Sequence, residues 1–195
     1  MLHGVVLCGG LSRRMGSPKA QLPWGDGNLL QHAVHRLAAA GLEPLCAGPS
    51  DWAGAAGCPA LTDEPAGAGP LGGIAAALAH GDCLVLAVDM PLLTAAELRQ
   101  IAAAGARQGV ATLPLVDGRL QPLAAFWPAQ LLPGLRSYLS EGHRSVLGFL
   151  EGRPQRRLAE DELERIGVVP GHLQGFNTRE EYRALGPSAD GGERP

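Results

Sequence analysis

Lys19 is the only lysine in the sequence, and it closes a loop rich in glycine and arginine. The apolar run Gly4-Val5-Val6-Leu7-Cys8 leads into Gly9-Gly10, then Arg13-Arg14, then Lys19, with no acidic residue before Asp26. Glycines at a strand end let a ligand approach the backbone where a Cβ would block it. Successive amides in such a loop can form a nest for an anion. Arginine brings forked donors to phosphate oxygens, and lysine brings a point charge. The spacing is neither that of a Walker A loop nor that of a dinucleotide fingerprint. A solvent-exposed turn with scattered charges is the alternative. The strand before the loop and the helix after it favour a polyphosphate pocket.

Asp89 follows the apolar run Cys83–Val88 and precedes Met90-Pro91. A carboxylate at the carboxyl end of a central parallel strand faces the crevice where open α/β sheets bind ligands. Mg²⁺ is usually held by one or two carboxylates together with substrate phosphates, so Asp89 is the candidate metal ligand. A capping or turn aspartate is the competing reading. Asp63 ends its own apolar segment, and Gly67, Gly69, Pro70, Gly72 and Gly73 follow, suited either to close ligand approach or to a plain connector. His32 and His35 lack a third ligand and read as solvent-facing imidazoles. His143 and His172 fall in loops. Trp24 and Trp52 read as packing residues.

These residues need a scaffold, and the chain supplies alternating apolar runs and helix-period segments, the pattern of an α/β fold with a largely parallel sheet. Strands are expected at Gly4–Cys8, Glu43–Ala47, Pro59–Thr62, Cys83–Val88, Val110–Leu115 and Gln121–Phe126, the last two joined at Asp117-Gly118. Helices are expected at Leu29–Ala40, Leu71–Ala79, Thr94 to about Ala104, Ala129–Ser140, Ser145–Leu150 and Arg179–Leu185. Thr94 with Glu97 forms a capping box, and Thr178 caps the last helix. Segments 48–58 and 64–73 read as loops, and the acidic run Glu160–Glu164 as a solvated face.

The 195 residues suit a single domain over 1–186, with a polar Gly/Pro tail at 187–195 that has nothing to bury. A formal net charge of −3 excludes a global basic field for nucleic acid, so an anion must be held by a local cluster. Cysteines at 8, 46, 58 and 83 have no C-x-x-C spacing, and Cys8, Cys46 and Cys83 are expected as buried, reduced thiols. No continuous apolar 18-mer is present, which argues against membrane insertion and for the cytoplasm.

On these motifs the chain resembles the molybdenum cofactor guanylyltransferases, the MobA family. Leu7-Cys8-Gly9-Gly10 through Arg13-Arg14-Met15-Gly16 and Lys19 is similar to the family's nucleotide loop. Gly69-Pro70-Leu71-Gly72-Gly73-Ile74 resembles its second glycine loop, and Val88-Asp89-Met90-Pro91 its metal-binding segment. Gln121-Pro122-Leu123 and Phe176-Asn177-Thr178-Arg179-Glu180-Glu181 resemble its downstream signatures. Cys8 stands where alanine is usual, Pro18 replaces an acidic residue, and Gly175-Phe176 precede Asn177 where the family often has a second asparagine.

The resemblance implies a three-layer α/β/α, Rossmann-like nucleotidyltransferase that uses Mg²⁺ to join GTP and molybdenum-molybdopterin. Lys19, Arg14 and Asp89 would be catalytic. Leu7, Cys8, Gly9, Gly10, Arg13, Lys19, Asp63, Asp89 and Asn177 would hold substrate, and Gly69, Pro70 and Gly73 would shape the pterin side. Molybdoenzyme apo-proteins or their chaperones would be downstream partners. The first loop alone also fits a pterin cytidylyltransferase or another sugar- or alcohol-phosphate nucleotidyltransferase. A non-catalytic GTP-binding adaptor fits it less well, because a pure binder need not keep Asp89.

Overall fold

The computed structural model describes residues 2–9, 17–63 and 67–186. Gly10, Arg13 and Arg14 of the expected phosphate loop, and the tail at 187–195, lie outside the described residues. The first half of the chain runs β1 His3–Leu7, β2 Pro23–Trp24, β3 Gly27–Asn28, α1 Leu29–Ala39, β4 Glu43–Ala47, α2 Ser50–Ala55, β5 Ala60–Leu61, α3 Pro70–Leu78 and β6 Cys83–Ala87. The second half runs α4 Ala95–Gln108, β7 Ala111–Val116, β8 Arg119–Leu120, β9 Ala124–Trp127, α5 Leu132–Ser140, α6 Val146–Leu150, β10 Gln155–Leu158, α7 Glu160–Arg165 and α8 Arg179–Ala184.

The main sheet has the order β10-β7-β9-β6-β1-β4-β5, with β8 paired to β7. β6, β1, β4 and β5 are parallel neighbours, and β10 is parallel to β7. β9 is antiparallel to both of its neighbours. Alternation within the strands sorts the core into two layers. Val6, Leu84 and Leu86 pack with Leu30, Leu37, Leu98 and Ile101 from α1 and α4. Val5, Cys83 and Val85 pack with Leu71, Ile74, Leu135 and Phe149 from α3, α5 and α6. Both faces of β1 and β6 are therefore covered, which is why those strands read as continuous apolar runs. Each fully buried Leu or Phe contributes roughly 1.5–3 kcal/mol of transfer free energy.

The capping box at Thr94 forms as expected, the expected cap Thr178 closes a box with Glu181, and Asn28 with Gln31 makes a third at the start of α1. Several expectations are corrected. Asp117-Gly118 joins β7 to the two-residue β8, not to a long strand partner, and Asp117 takes a positive φ of 50° there. The strand that follows, β9, inserts between β6 and β7. α4 continues past Ala104 through Gly105, where a Cβ would lie 2.2 Å from the Phe126 ring. That glycine lets the helix sit directly on β9. Segment 48–58 contains a short helix, and the acidic run forms α7, whose Leu163 is buried. Cys8 and Cys83 are buried free thiols, but Cys46 is not: it forms a disulfide with Cys58, clipping β4 to the segment before β5.

Candidate active site

Lys19 opens a single 3₁₀ turn, Lys19–Gln21, that packs against α1. Its ammonium donates to Asp89 Oδ2 at 2.6 Å, to Asn177 Oδ1 at 3.2 Å and to the Phe176 carbonyl. It also lies 5.0 Å from the centre of the Phe176 ring. The Lys19 and Asp89 side chains are only 16% and 24% exposed, so bulk salt screens this pair weakly. Three segments 70 to 158 residues apart thus converge on one cation. The C-terminal partner is held in place by α8. The Asn177 and Thr178 amides donate to Glu181, Tyr182 hydrogen-bonds the Pro23 carbonyl, and Phe176 is fully buried.

Asp89 leaves β6 on a turn at the carboxyl end of the parallel strands, the edge where open α/β sheets bind ligands. Beside it opens a cleft of about 540 Å³, lined in part by Asp89, Arg119, Gln121, Pro122, Gly175 and Asn177. Two hydrogen bonds hold its lining: Ala87 N donates to the Leu123 carbonyl at 2.7 Å, and the Trp127 indole N–H donates to the Pro122 carbonyl at 2.9 Å. Gly175, noted in the sequence only as a departure from the family's usual asparagine, lines the cleft against Asp89. A Cβ there would lie 3.3 Å from the Asp89 carbonyl and 3.4 Å from its carboxylate. Only the fold places residue 175 against residue 89, so no local motif could have revealed it.

The first loop is more engaged than its sequence suggests. Cys8 N and Gly9 N both donate to the Ala47 carbonyl, at 3.0 and 3.1 Å, and Leu7 O accepts from Val88 N at 3.3 Å. Those two amides are committed to β4, so the anion nest expected from them is not formed at Cys8 and Gly9. Gly9 is exposed, and a Cβ on it would meet protein at no less than 3.6 Å. The room its missing side chain leaves is therefore on the solvent side. Asp63 is half-buried, and desolvation raises its pKa. It lies near Cys8, whose thiol burial pushes up to about 11 with help from the Asp63 charge. Gly69 starts α3 at φ +65°, a conformation glycine adopts without strain, and Pro70 takes the first helical turn. Gly73 packs inside the protein: a Cβ would be 2.7 Å from Ala47 Cβ and 3.0 Å from Leu7. Its place is the contact between α3 and the first two parallel strands, not the lining of the cleft.

Residues 4–159 match the MobA-like NTP transferase domain. The chain belongs to this family. It is 36% identical over 180 residues to the probable molybdenum cofactor guanylyltransferase of Opitutus terrae, covering 86% of this chain and 89% of that one. It is 32% identical over 194 residues to the molybdenum cofactor guanylyltransferase of Rhizobium meliloti, covering 92% and 88%. The molybdopterin-guanine dinucleotide biosynthesis protein A of Archaeoglobus fulgidus shares the fold at a TM-score of 0.82 and 24% identity, over 94% of this chain and 96% of that one. The architecture of this MobA-like chain is accordingly the nucleotidyltransferase α/β fold with a mostly parallel sheet.

Within this MobA-like fold, the donor set can be tested against a divalent metal. Among the described residues no group of three or more His, Cys, Asp or Glu side chains could hold an ion. Asp89 offers a charged oxygen at the strand ends, while Asp63 follows β5 and Asp117 follows β7 and borders the same cleft, without the three forming a group that could hold an ion by itself. One carboxylate fits Mg²⁺ that arrives with a polyphosphate and takes its other ligands from phosphate and water. It does not fit a free-standing metal site. The histidines play no part in it. His32 is half-buried, with Nε2 3.1 Å from the Pro91 carbonyl, which corrects its reading as solvent-facing. Burial and the Arg36 charge lower its pKa to about 4. His172 Nδ1 meets Glu97 at 2.9 Å and ties the C-terminal segment to the start of α4.

Proposed function

We propose that this protein transfers GMP from GTP to the phosphate of molybdenum-molybdopterin, forming the guanine dinucleotide cofactor and pyrophosphate. The observation that carries the reading is the meeting of Lys19, Asp89 and Asn177 at the carboxyl ends of the parallel strands of a MobA-like chain. In the reaction a phosphate oxygen of the pterin attacks the α-phosphorus of GTP in line. The bond from that phosphorus to the bridging oxygen of the β-phosphate breaks, and the electron pair leaves with pyrophosphate. Both partners are anions, so charge neutralisation and alignment are the work of the site.

Lys19 would serve the α- and β-phosphates by exchanging one of its three oxygen partners for a phosphate oxygen, since an ammonium has only three donors. Arg14, with Arg13, would take charge developing on the leaving group. Asp89 would hold Mg²⁺, which supplies Lewis-acid neutralisation of the phosphates when bound. Leu7 through Gly10 and Asp63 would seat the nucleotide. Gly69, Pro70 and Asn177 would border the pterin. No covalent intermediate is needed. On this reading residues 1–186 act as one nucleotidyltransferase unit in the cytoplasm and pass the product to molybdoenzyme apo-proteins or their chaperones. Among the described residues no helix is long and apolar enough to cross a membrane.

The test is pyrophosphate release with GTP, CTP, ATP and UTP in turn, with and without molybdenum-molybdopterin. Release that requires both GTP and the pterin supports the reading. Release with CTP at the same rate contradicts the nucleotide assignment.

A further inference from the structure

Arg36 touches none of the residues assigned to substrate, yet it is 6% exposed in the middle of α1. A cation taken out of water is costly unless hydrogen bonds surround it. Its Nη1 donates to the Met90 carbonyl at 3.0 Å, to the Pro91 carbonyl at 3.1 Å and to the Leu93 carbonyl. These carbonyls belong to the segment that begins directly after Asp89 and ends at Thr94, the N-cap of α4. His32, one helical turn earlier, reaches the Pro91 carbonyl as well, and Arg36 Nε lies 3.4 Å from the His32 carbonyl. Burial lowers the guanidinium pKa to about 10 while Glu97 opposes the shift, so the charge persists at neutral pH.

Three carbonyl oxygens aimed at one point repel each other, and they lie outside helix and strand. An apolar side chain would fill the space of Arg36 but would take this donor from the Met90 and Leu93 carbonyls and leave Pro91 only His32. The cation therefore sets the path of the backbone that carries Asp89 away from β6.

We propose that Arg36 is a positioning residue for Asp89. It fixes Met90–Leu93 from below, so that the carboxylate stays within 2.6 Å of Lys19 and faces the nucleotide. The assignment rests on the reading of Asp89 as the metal-side carboxylate. Displacement of a catalytic group by about 1 Å can cost on the order of 100-fold in rate, so loss of Arg36 acts through geometry.

The experiment is a double-mutant cycle of Arg36→Met with Asp89→Asn, joined to amide deuterium exchange on the full chain without ligands. Arg36→Met lowers kcat by about 10- to 100-fold in the parent. In the Asp89→Asn background it lowers kcat by no more than about twofold, because the group it serves is already lost. Equal losses in the two backgrounds overturn the proposal, as does parent-like kcat in folded Arg36→Met. Arg36→Lys keeps a buried cation and carries the cycle if the methionine variant does not fold. In Arg36→Lys, exchange quickens over residues 88–94 and is unchanged over β4; parent-like exchange at 88–94 overturns the assignment. A parent protein that transfers no GMP overturns the functional reading instead, and the exchange result still decides what Arg36 holds.

Discussion

Lys19 and Asp89 neutralise one another across half-buried ground, and each sets the direction of the other's charge. Lys19→Ala keeps the fold, because no core residue is removed, but turnover falls by roughly 100- to 1,000-fold, the usual loss for one donor that stabilises transition-state charge. Circular dichroism with steady-state kinetics checks both halves, and near-normal turnover in a folded variant removes Lys19 from the mechanism. Asp89→Asn keeps the shape and removes the charge. The Mg²⁺ concentration for half-maximal rate should rise while turnover falls; the parent's titration curve and rate in this variant would show that Asp89 is not the ligand. His32 gives a pH signature. Its folded pKa of about 4 lies below the ordinary 6.5, so the unfolded chain binds the proton first. The stability it contributes is full above about pH 6.5 and is lost as pH falls toward 4. Melting temperatures between pH 7 and pH 4.5 should fall more steeply for the parent than for His32→Gln, and equal slopes would count against a neutral, buried role.

Among the elements, β4 carries the unplanned feature. Cys46 pairs with Cys58 twelve positions on, while the neighbouring Ala47 carbonyl receives the Cys8 and Gly9 amides. A disulfide closing a loop of this size typically adds about 2–4 kcal/mol, chiefly by restricting the unfolded chain. Denaturant unfolding with and without reductant should show a loss in that range, and no change would mean the bridge does not form in solution. The sequence revealed Cys46 as a buried apolar position but could not reveal its partner, because pairing depends on β4 and β5 lying side by side. The same limit applied to the sheet. β1, β4 and β6 were legible from continuous apolar runs, and α4 and α8 from their capping boxes. The insertion of β9 between β6 and β7 was not, since strand neighbours are chosen by packing. Within the site, Lys19 and Asp89 were read from charge and position after a strand, whereas Asn177 came only from the resemblance to a family signature. The roles of Gly175 and Arg36 were not legible there, because each acts on a residue more than fifty positions away.

At the scale of the whole molecule, net charge −3 gives no overall positive field, so on the proposed reading two anionic substrates are brought together by locally placed cations. The fold does this by gathering the turn after β6 and the segment before α8 around one ammonium. A second glycine in the loop sequence permits close approach to the backbone that a Cβ can block, so Gly10→Ala is expected to erode any preference for GTP over CTP. Competition between the two nucleotides on parent and variant measures this, and an unaltered ratio would remove Gly10 from the account of base choice. The most direct test of the central claim is the mass of the product formed from molybdenum-molybdopterin, Mg²⁺ and equal GTP and CTP. The account predicts a pterin carrying one GMP, with pyrophosphate released in equal amount; a CMP adduct, or consumption of GTP with no pterin adduct, would contradict it.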